Sequence, residues 1–234
     1  MNIDGKVVII TGAAGNLGKK VAEAFGQSGA RLALVDVSAE RLDQVYGPES
    51  ETVLPLPVNL LDSAAVAAAT EQVIDRYGRI DCLCNIAGGF DMGTAVHETP
   101  DDMFQRMYDL NVRTMVNMSR SVVPAMIEGG GGTIVTIGAG AALKGMANMG
   151  AYIASKSAVI RLSESMSEEL KGKGINVNCV LPSIIDTPQN RAAMPKSDPG
   201  KWVTPEALAD VVLFLSSGAA RAIHGVALPV SGLS

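Results

Sequence analysis

Short apolar runs alternate along the chain with longer amphipathic stretches. The runs are Val7–Thr11, Arg31–Val35, Thr52–Val58, Ile80–Cys84, Thr133–Ile137, Gly174–Leu181 and Val226–Val230. Their apolarity is continuous rather than alternating, as in strands covered on both faces. Between them, apolar positions recur at helical spacing over Lys19–Ser28, Ala39–Tyr46, Ser63–Tyr77, Pro100–Ile127, Tyr152–Lys171 and Pro205–Ser216. Strand and helix in turn predict an α/β fold, a doubly wound parallel sheet of about seven strands with helices on both faces. Asp62-Ser63 and Thr204-Pro205 read as helix starts, and Gly78, Gly129 and Gly172 as left-handed residues past helix ends. No linker interrupts the pattern, so residues 1–234 are expected to form a single domain. The irregular, Pro-containing stretch Gln189–Trp202 is expected to be a lid over a substrate, since such loops carry specificity.

The first strand leads into Thr11-Gly12-Ala13-Ala14-Gly15-Asn16-Leu17-Gly18, a tight turn opening a helix. Small residues let backbone approach a pyrophosphate, and a helix N-terminus offers it free N–H groups and partial positive charge. Asp36 ends the second strand. There a carboxylate accepts hydrogen bonds from both ribose hydroxyls of a dinucleotide and repels a 2′-phosphate. Val37 follows it and no Arg or Lys is seen in place to hold that phosphate, so NAD(H) is expected rather than NADP(H). Further along, Tyr152 and Lys156 stand four apart, on one face of a helix. An ammonium near a phenol favours phenolate and lowers its pKa from about 10, which suits proton transfer to or from an alkoxide.

These segments, in this order, resemble the short-chain dehydrogenase/reductase family, a Rossmann-type fold, along nearly the whole chain. The turn is similar to the family's Thr-Gly-x-x-x-Gly-x-Gly loop, with Asn16 for the middle Gly; Asn tolerates positive φ, so the turn is expected to keep its shape. Asn59, with Leu60 beside it, stands where the family has an Asp touching the adenine. Asn85-Ile86-Ala87-Gly88 resembles Asn-Asn-Ala-Gly, and Pro182-Ser183-Ile184-Ile185-Asp186-Thr187 resembles Pro-Gly-x-x-x-Thr. The resemblance implies that groups near Ile185 and the Thr187 hydroxyl bind the nicotinamide carboxamide. It implies that Gly12, Gly15, Asn16, Leu17, Gly18, Asp36, Asn59, Leu60, Asn85, Ala87, Gly88 and Pro182 complete the cofactor site, with Lys156 reaching the ribose. It also makes Tyr152 and Lys156 catalytic, with Asn111 bending its helix and serving a proton path to the Lys.

The family usually carries a Ser thirteen residues before the Tyr; here that residue is Ala139. By analogy with oxyanion-hole deletions, losing one donor to a substrate carbonyl costs on the order of 10²–10³ in rate. Quinonoid dihydropteridine reductases also lack that Ser. Ala87-Gly88-Gly89-Phe90, Gly138–Leu143 and Asp186–Arg191 followed by Met194-Pro195 and Trp202 resemble theirs in part. Three functions stay open: hydride transfer to or from a small carbonyl, alcohol or conjugated imine; a dihydropteridine-reductase-like activity; and a catalytically weak NAD(H)-binding sensor or inactive subunit.

Composition narrows the partners. A net charge of −5 with scattered Lys and Arg argues against nucleic acid and acidic membrane. No stretch reaches the roughly 18 apolar residues of a membrane span, and Met1–Lys6 shows no leader pattern, so cytoplasm is the expectation. Cys82, Cys84 and Cys179 read as buried free thiols and no metal site is expected. Apolar positions on Met103–Ile127 and Tyr152–Lys171 are too many for one covered face, and the family pairs these helices across a two-fold axis. A homodimer or homotetramer is therefore expected.

Overall fold

The computed structural model describes residues 3–234; the start of the Met1–Lys6 reading lies outside them. Seven parallel strands form one sheet in the order β3-β2-β1-β4-β5-β6-β7. They are β1 (Val7–Thr11), β2 (Arg31–Asp36), β3 (Val53–Pro57), β4 (Cys82–Asn85), β5 (Gly132–Ile137), β6 (Ile175–Pro182) and β7 (Ala227–Val230). Every residue of β1 and β6 is buried, which is why these strands read as unbroken apolar runs. The edge strands carry the prolines: Pro55 and Pro57 on β3, Pro229 on β7. Proline has no N–H for a ladder and is tolerated at an edge, where it discourages pairing with another chain.

The helices are α1 (Asn16–Gln27), α2 (Ala39–Tyr46), α3 (Ser63–Tyr77), α4 (Asp101–Tyr108), α5 (Thr114–Glu128), α6 (Gly150–Leu170), α7 (Pro188–Ala193) and α8 (Pro205–Leu215). Val21 and Phe25 of α1, Leu42 of α2 and Val212 of α8 pack on one face of the sheet with Ile10, Leu34 and Val135. Val66 and Val73 of α3 and Val122 of α5 pack on the other with Ile9, Leu83 and Ile134, and Val159 and Ile160 of α6 join that side over Cys179. Strand order reverses between β1 and β4, and in such sheets the crevice at the carboxyl ends of those two strands is where ligands bind.

Three local expectations need correction. The stretch Pro100–Ile127 is not one regular helix: a π-helical turn, Asp109–Arg113, separates α4 from α5. The stretch 189–202 is not wholly irregular. It begins inside α7, capped by the Thr187 hydroxyl accepting from the Asn190 N–H, with Pro188 in the first turn. Gly78 is left-handed as expected, but past the other two helix ends that conformation falls on Gly130 and Gly174 rather than Gly129 and Gly172. Asp62 and Thr204 cap α3 and α8 as read. Cys82, Cys84 and Cys179 are buried free thiols. Among the described residues, no helix is long and apolar enough to cross a membrane.

Candidate active site

The turn between β1 and α1 is built around two glycines. Gly12 has φ +64°, and a Cβ there would sit 3.0 Å from the Ala87 Cα. A Cβ on Gly18 would lie 2.1 Å from the Gly12 carbonyl oxygen, so the loop can double back onto α1 only with glycine at that position. Asn16 opens α1 and is not at positive φ. The expected reason for tolerating Asn there is therefore wrong: the position is helical and a side chain fits. Its Nδ2 donates 2.7 Å to Oε1 of Gln189, joining the turn to α7. The Thr11 hydroxyl accepts from the N–H groups of Ile86 and Ala87, both at 3.0 Å, which fastens the segment after β4 against this turn.

Asp36 is buried at the end of β2, and its carboxylate accepts from the Ala14 N–H at 3.0 Å and the Ser38 N–H at 3.5 Å. A cation that the sequence does not place stands nearby. Arg41, in the first turn of α2, donates from Nη2 to the Ala14 carbonyl at 2.7 Å. The Tyr46 hydroxyl donates to the Ala13 carbonyl at 2.7 Å, and burial, with the Asp36 charge second, pushes that phenol far up from its usual pKa. Asn59 is exposed, its Oδ1 accepting from the Leu61 N–H, while the carbonyl of buried Leu60 accepts from Asn117 Nδ2 at 2.8 Å.

The segment after β4 leads to the chemistry. A Cβ added to Gly88 would meet Asn111 Oδ1 at 2.8 Å and Lys156 Nζ at 3.2 Å. Only a bare backbone fits against these two side chains. Asn111 lies in the π-helical turn, buried, and uses its whole amide. Oδ1 accepts from the Gly89 N–H (2.9 Å), and Nδ2 donates to the Gly89 carbonyl (3.1 Å) and to Ser155 Oγ (3.0 Å). The extra residue of a π turn re-aims a side chain, as it commonly does at functional sites. Asn85 is placed differently from its neighbours. Both polar atoms of its side chain are sealed in the interior without a protein partner, beside Thr136 across the β4–β5 pairing, so it does not present its amide to the cleft.

Tyr152 and Lys156 share α6. Lys156 is buried; its Nζ donates to the Ile137 carbonyl at 2.8 Å, and desolvation lowers its pKa to about 8. Burial pushes the Tyr152 phenol up to about 12. The expected lowering by the ammonium is therefore absent here, because desolvation dominates a neutral phenol and Lys156 is directed at Ile137. The Phe90 ring meets the Tyr152 ring edge-on, centroids 4.8 Å apart. Ala139 is buried just past β5. The loop carrying Phe90 and Met92 joins that carrying Leu143 and Met146 through the Gly93 N–H and the Asn148 carbonyl, and all four side chains are exposed.

Past β6, the Asp186 N–H bonds to the Val203 carbonyl and the Val203 N–H to the Ile184 carbonyl. In that parallel bridge the N–H and C=O of Ile185 face the opposite way; the C=O is taken by Asn190 Nδ2 at 2.8 Å. Ser183, where the family has Gly, donates to the Ser231 carbonyl. Asp186 and Arg191 form a two-point ion pair, which holds the Asp186 carboxyl below its usual range. Arg41, Gln189 and the orientation of Phe90 are the participants that sequence reasoning did not place.

The model of the short chain dehydrogenase family matches residues 6–198. The 3-oxoacyl-[acyl-carrier-protein] reductase of Thermotoga maritima is 32% identical over 244 residues, 99% of this chain and 98% of that one. Carveol dehydrogenase from Mycobacterium avium, solved in complex with NAD, superposes with a TM-score of 0.88 at 27% identity, covering 98% of this chain and 97% of its own. L-Sorbose reductase from Gluconobacter frateurii, complexed with NADPH and L-sorbose, gives 0.87 at 28% identity, covering 99% and 98%. The chain belongs to the short-chain dehydrogenase/reductase family and is an oxidoreductase of that class. Both of these solved relatives hold a nicotinamide dinucleotide, NAD in the first and NADPH in the second.

Proposed function

We propose that the chain transfers hydride between NAD(H) and a small carbonyl or alcohol, with Tyr152 moving the proton. The observation that supports this reading is the packing at Gly88, where a Cβ would meet Asn111 Oδ1 at 2.8 Å and Lys156 Nζ at 3.2 Å, so that the segment after β4 lies directly against the α6 lysine and the π-turn amide. The residues fit a dinucleotide: Gly12 and Gly18 make the close approach, Gly15 precedes the N-terminus of α1, and the Asp36 carboxylate suits a ribose diol. Leu17, Asn59, Leu60, Ala87 and Pro182 would line the cleft, with Ile185 and Thr187 at its nicotinamide end. A nicotinamide dinucleotide held there supplies or takes the hydride.

In the reducing direction the Tyr152 hydroxyl gives its proton to the substrate oxygen; in the oxidising direction the phenolate takes it. Burial alone would keep the proton on the phenol. The Lys156 charge matters as the proton leaves, since an ammonium one helical turn away stabilises the developing phenolate. Asn111 braces Gly89 and Ser155, holding the loop of Phe90 against α6.

Phe90, Met92, Leu143 and Met146 form an apolar rim, which favours a substrate with an apolar body. Ala139 favours a second reading, a conjugated acceptor such as a quinonoid pterin, which needs one proton donor rather than two. NADH oxidation against a panel of simple ketones, quinones and quinonoid dihydropterin, with wild type and Ala139→Ser, tests both. Ketone turnover raised by the new hydroxyl supports the carbonyl reading, and pterin turnover that it leaves unimproved supports the second. Tight NADH binding with turnover of nothing in the panel contradicts both and marks a sensor. The cytoplasm, where thiols stay reduced, suits three buried free cysteines.

A further inference from the structure

Three buried side chains near the carboxyl end of β4 have no hydrogen-bond partner among the described residues: Asn85, at both of its amide atoms, Thr136 and Ser119. They are 4%, 2% and 7% exposed, so bulk solvent does not reach them. Their positions converge. Asn85 and Thr136 are register partners on β4 and β5, two steps beyond the pair Leu83 and Ile134, and residues two apart on a strand share a face. Leu83 and Ile134 pack with Val122 of α5. Ser119 precedes Val122 by three residues and follows buried Met115 by four, which puts it on the same stripe of the helix. Helix α5 runs back against the strands to reach the start of β5. Three helical residues rise about 4.5 Å and two strand residues about 6.6 Å, so Ser119 comes over the level of Asn85 and Thr136.

One amide and two hydroxyls offer donors and acceptors but no charge, which suits water and not an ion. Native interiors rarely leave such groups unpaired; ordered water satisfies them, making roughly two to four hydrogen bonds. We infer that Asn85, Thr136 and Ser119 hold an ordered water molecule, and that this water positions the segment Ile86–Gly89, the wall of the cleft after β4. The Thr11 hydroxyl fastens that segment from the β1 side, accepting from the N–H groups of Ile86 and Ala87. The water fastens Asn85, where the segment starts, from the β5 side. Asn85 is thus a positioning residue: it acts through the backbone that follows it and not by touching the cofactor. This positioning role rests on reading the cleft as a dinucleotide site.

A crystal structure of the wild type at a resolution that shows solvent is expected to place a water within hydrogen-bond distance of at least two of the three side chains. Thr136→Val keeps the shape and removes the hydroxyl. It is expected to melt below wild type, because the water loses a partner; removing a hydroxyl that was truly unpaired would raise the melting temperature. NADH affinity, read from nicotinamide fluorescence, is expected to fall about threefold in Thr136→Val, within the worth of one neutral hydrogen bond. Thr136→Ser keeps the hydroxyl, loses a methyl, and is expected to stay nearer wild type. Packing alone predicts the opposite order, since Val fills the position and Ser does not. No water in the density, a direct Asn85–Thr136 bond in its place, or a Thr136→Val more heat-stable than wild type overturns the site. A Thr136→Val that binds NADH as well as or better than Thr136→Ser overturns the positioning role. Failure of wild type to bind NADH overturns the dinucleotide reading instead, while density and melting temperature still decide the water site.

Discussion

Burial shifts both titrating side chains of α6 toward their neutral forms: it raises the Tyr152 phenol to about 12 and lowers the Lys156 ammonium to about 8. The sign for activity follows. Lys156 is charged below pH 8 and loses its proton as pH rises through that value, removing the charge that offsets a phenolate. Reduction measured as kcat/KM is therefore expected to fall above about pH 8, and Lys156→Arg, which stays charged, to carry that limb to higher pH. A profile flat to pH 9.5 would contradict this assignment. At this scale the sequence shows Tyr152 and Lys156 because their spacing matches one helical turn. It hides Arg41, which is 27 positions from Ala14 and meets it only once α2 folds back on the β1–α1 turn.

Strands are legible nearly to their ends, since most apolar runs are bounded by glycine or polar residues and the central strands β1, β4 and β6 are buried throughout. The long helix is less so. The π turn at Asp109–Arg113 keeps the composition of a helix and alters only its phase, so apolar periodicity does not mark it. Helix α7 is hidden in the sequence although its start, Thr187-Pro188, repeats the Thr204-Pro205 signal that marks α8; six residues are too few to display a period. This short element is also the one that Asn16 reaches through Gln189. The departure from the family's glycine at position 16 thus ties the β1–α1 turn to α7, a contact between elements that no local pattern encodes.

Across the whole molecule, proline at Pro55, Pro57 and Pro229 makes both sheet edges poor surfaces for strand addition. The face of α4, the π turn and α5 instead holds a cavity of about 590 Å³ of mixed lining, apolar at Leu61, Phe104, Val112 and Val116 and polar or charged at Gln105, Asp109, Arg113 and Arg120, with Phe104 and Tyr108 stacked and exposed. We propose that a second copy of the chain covers this face. Light scattering at micromolar concentration should then show a dimer or tetramer, and Phe104→Asp, which places a charge on the apolar face, should shift it toward monomer. Only a species near 24 kDa in wild type would reject the proposal.

The central claim, that Tyr152 moves the proton in a nicotinamide-dependent hydride transfer, is tested most directly by single-turnover oxidation of bound NADH in Tyr152→Phe. The substitution removes one hydroxyl and keeps the ring against Phe90. The step is expected to slow by roughly 10²–10⁴, the usual contribution of a general acid. NADH affinity should change little, the mark of an interaction made in the transition state. Hydride transfer at the wild-type rate in Tyr152→Phe, on the best acceptor of the panel, would contradict the account.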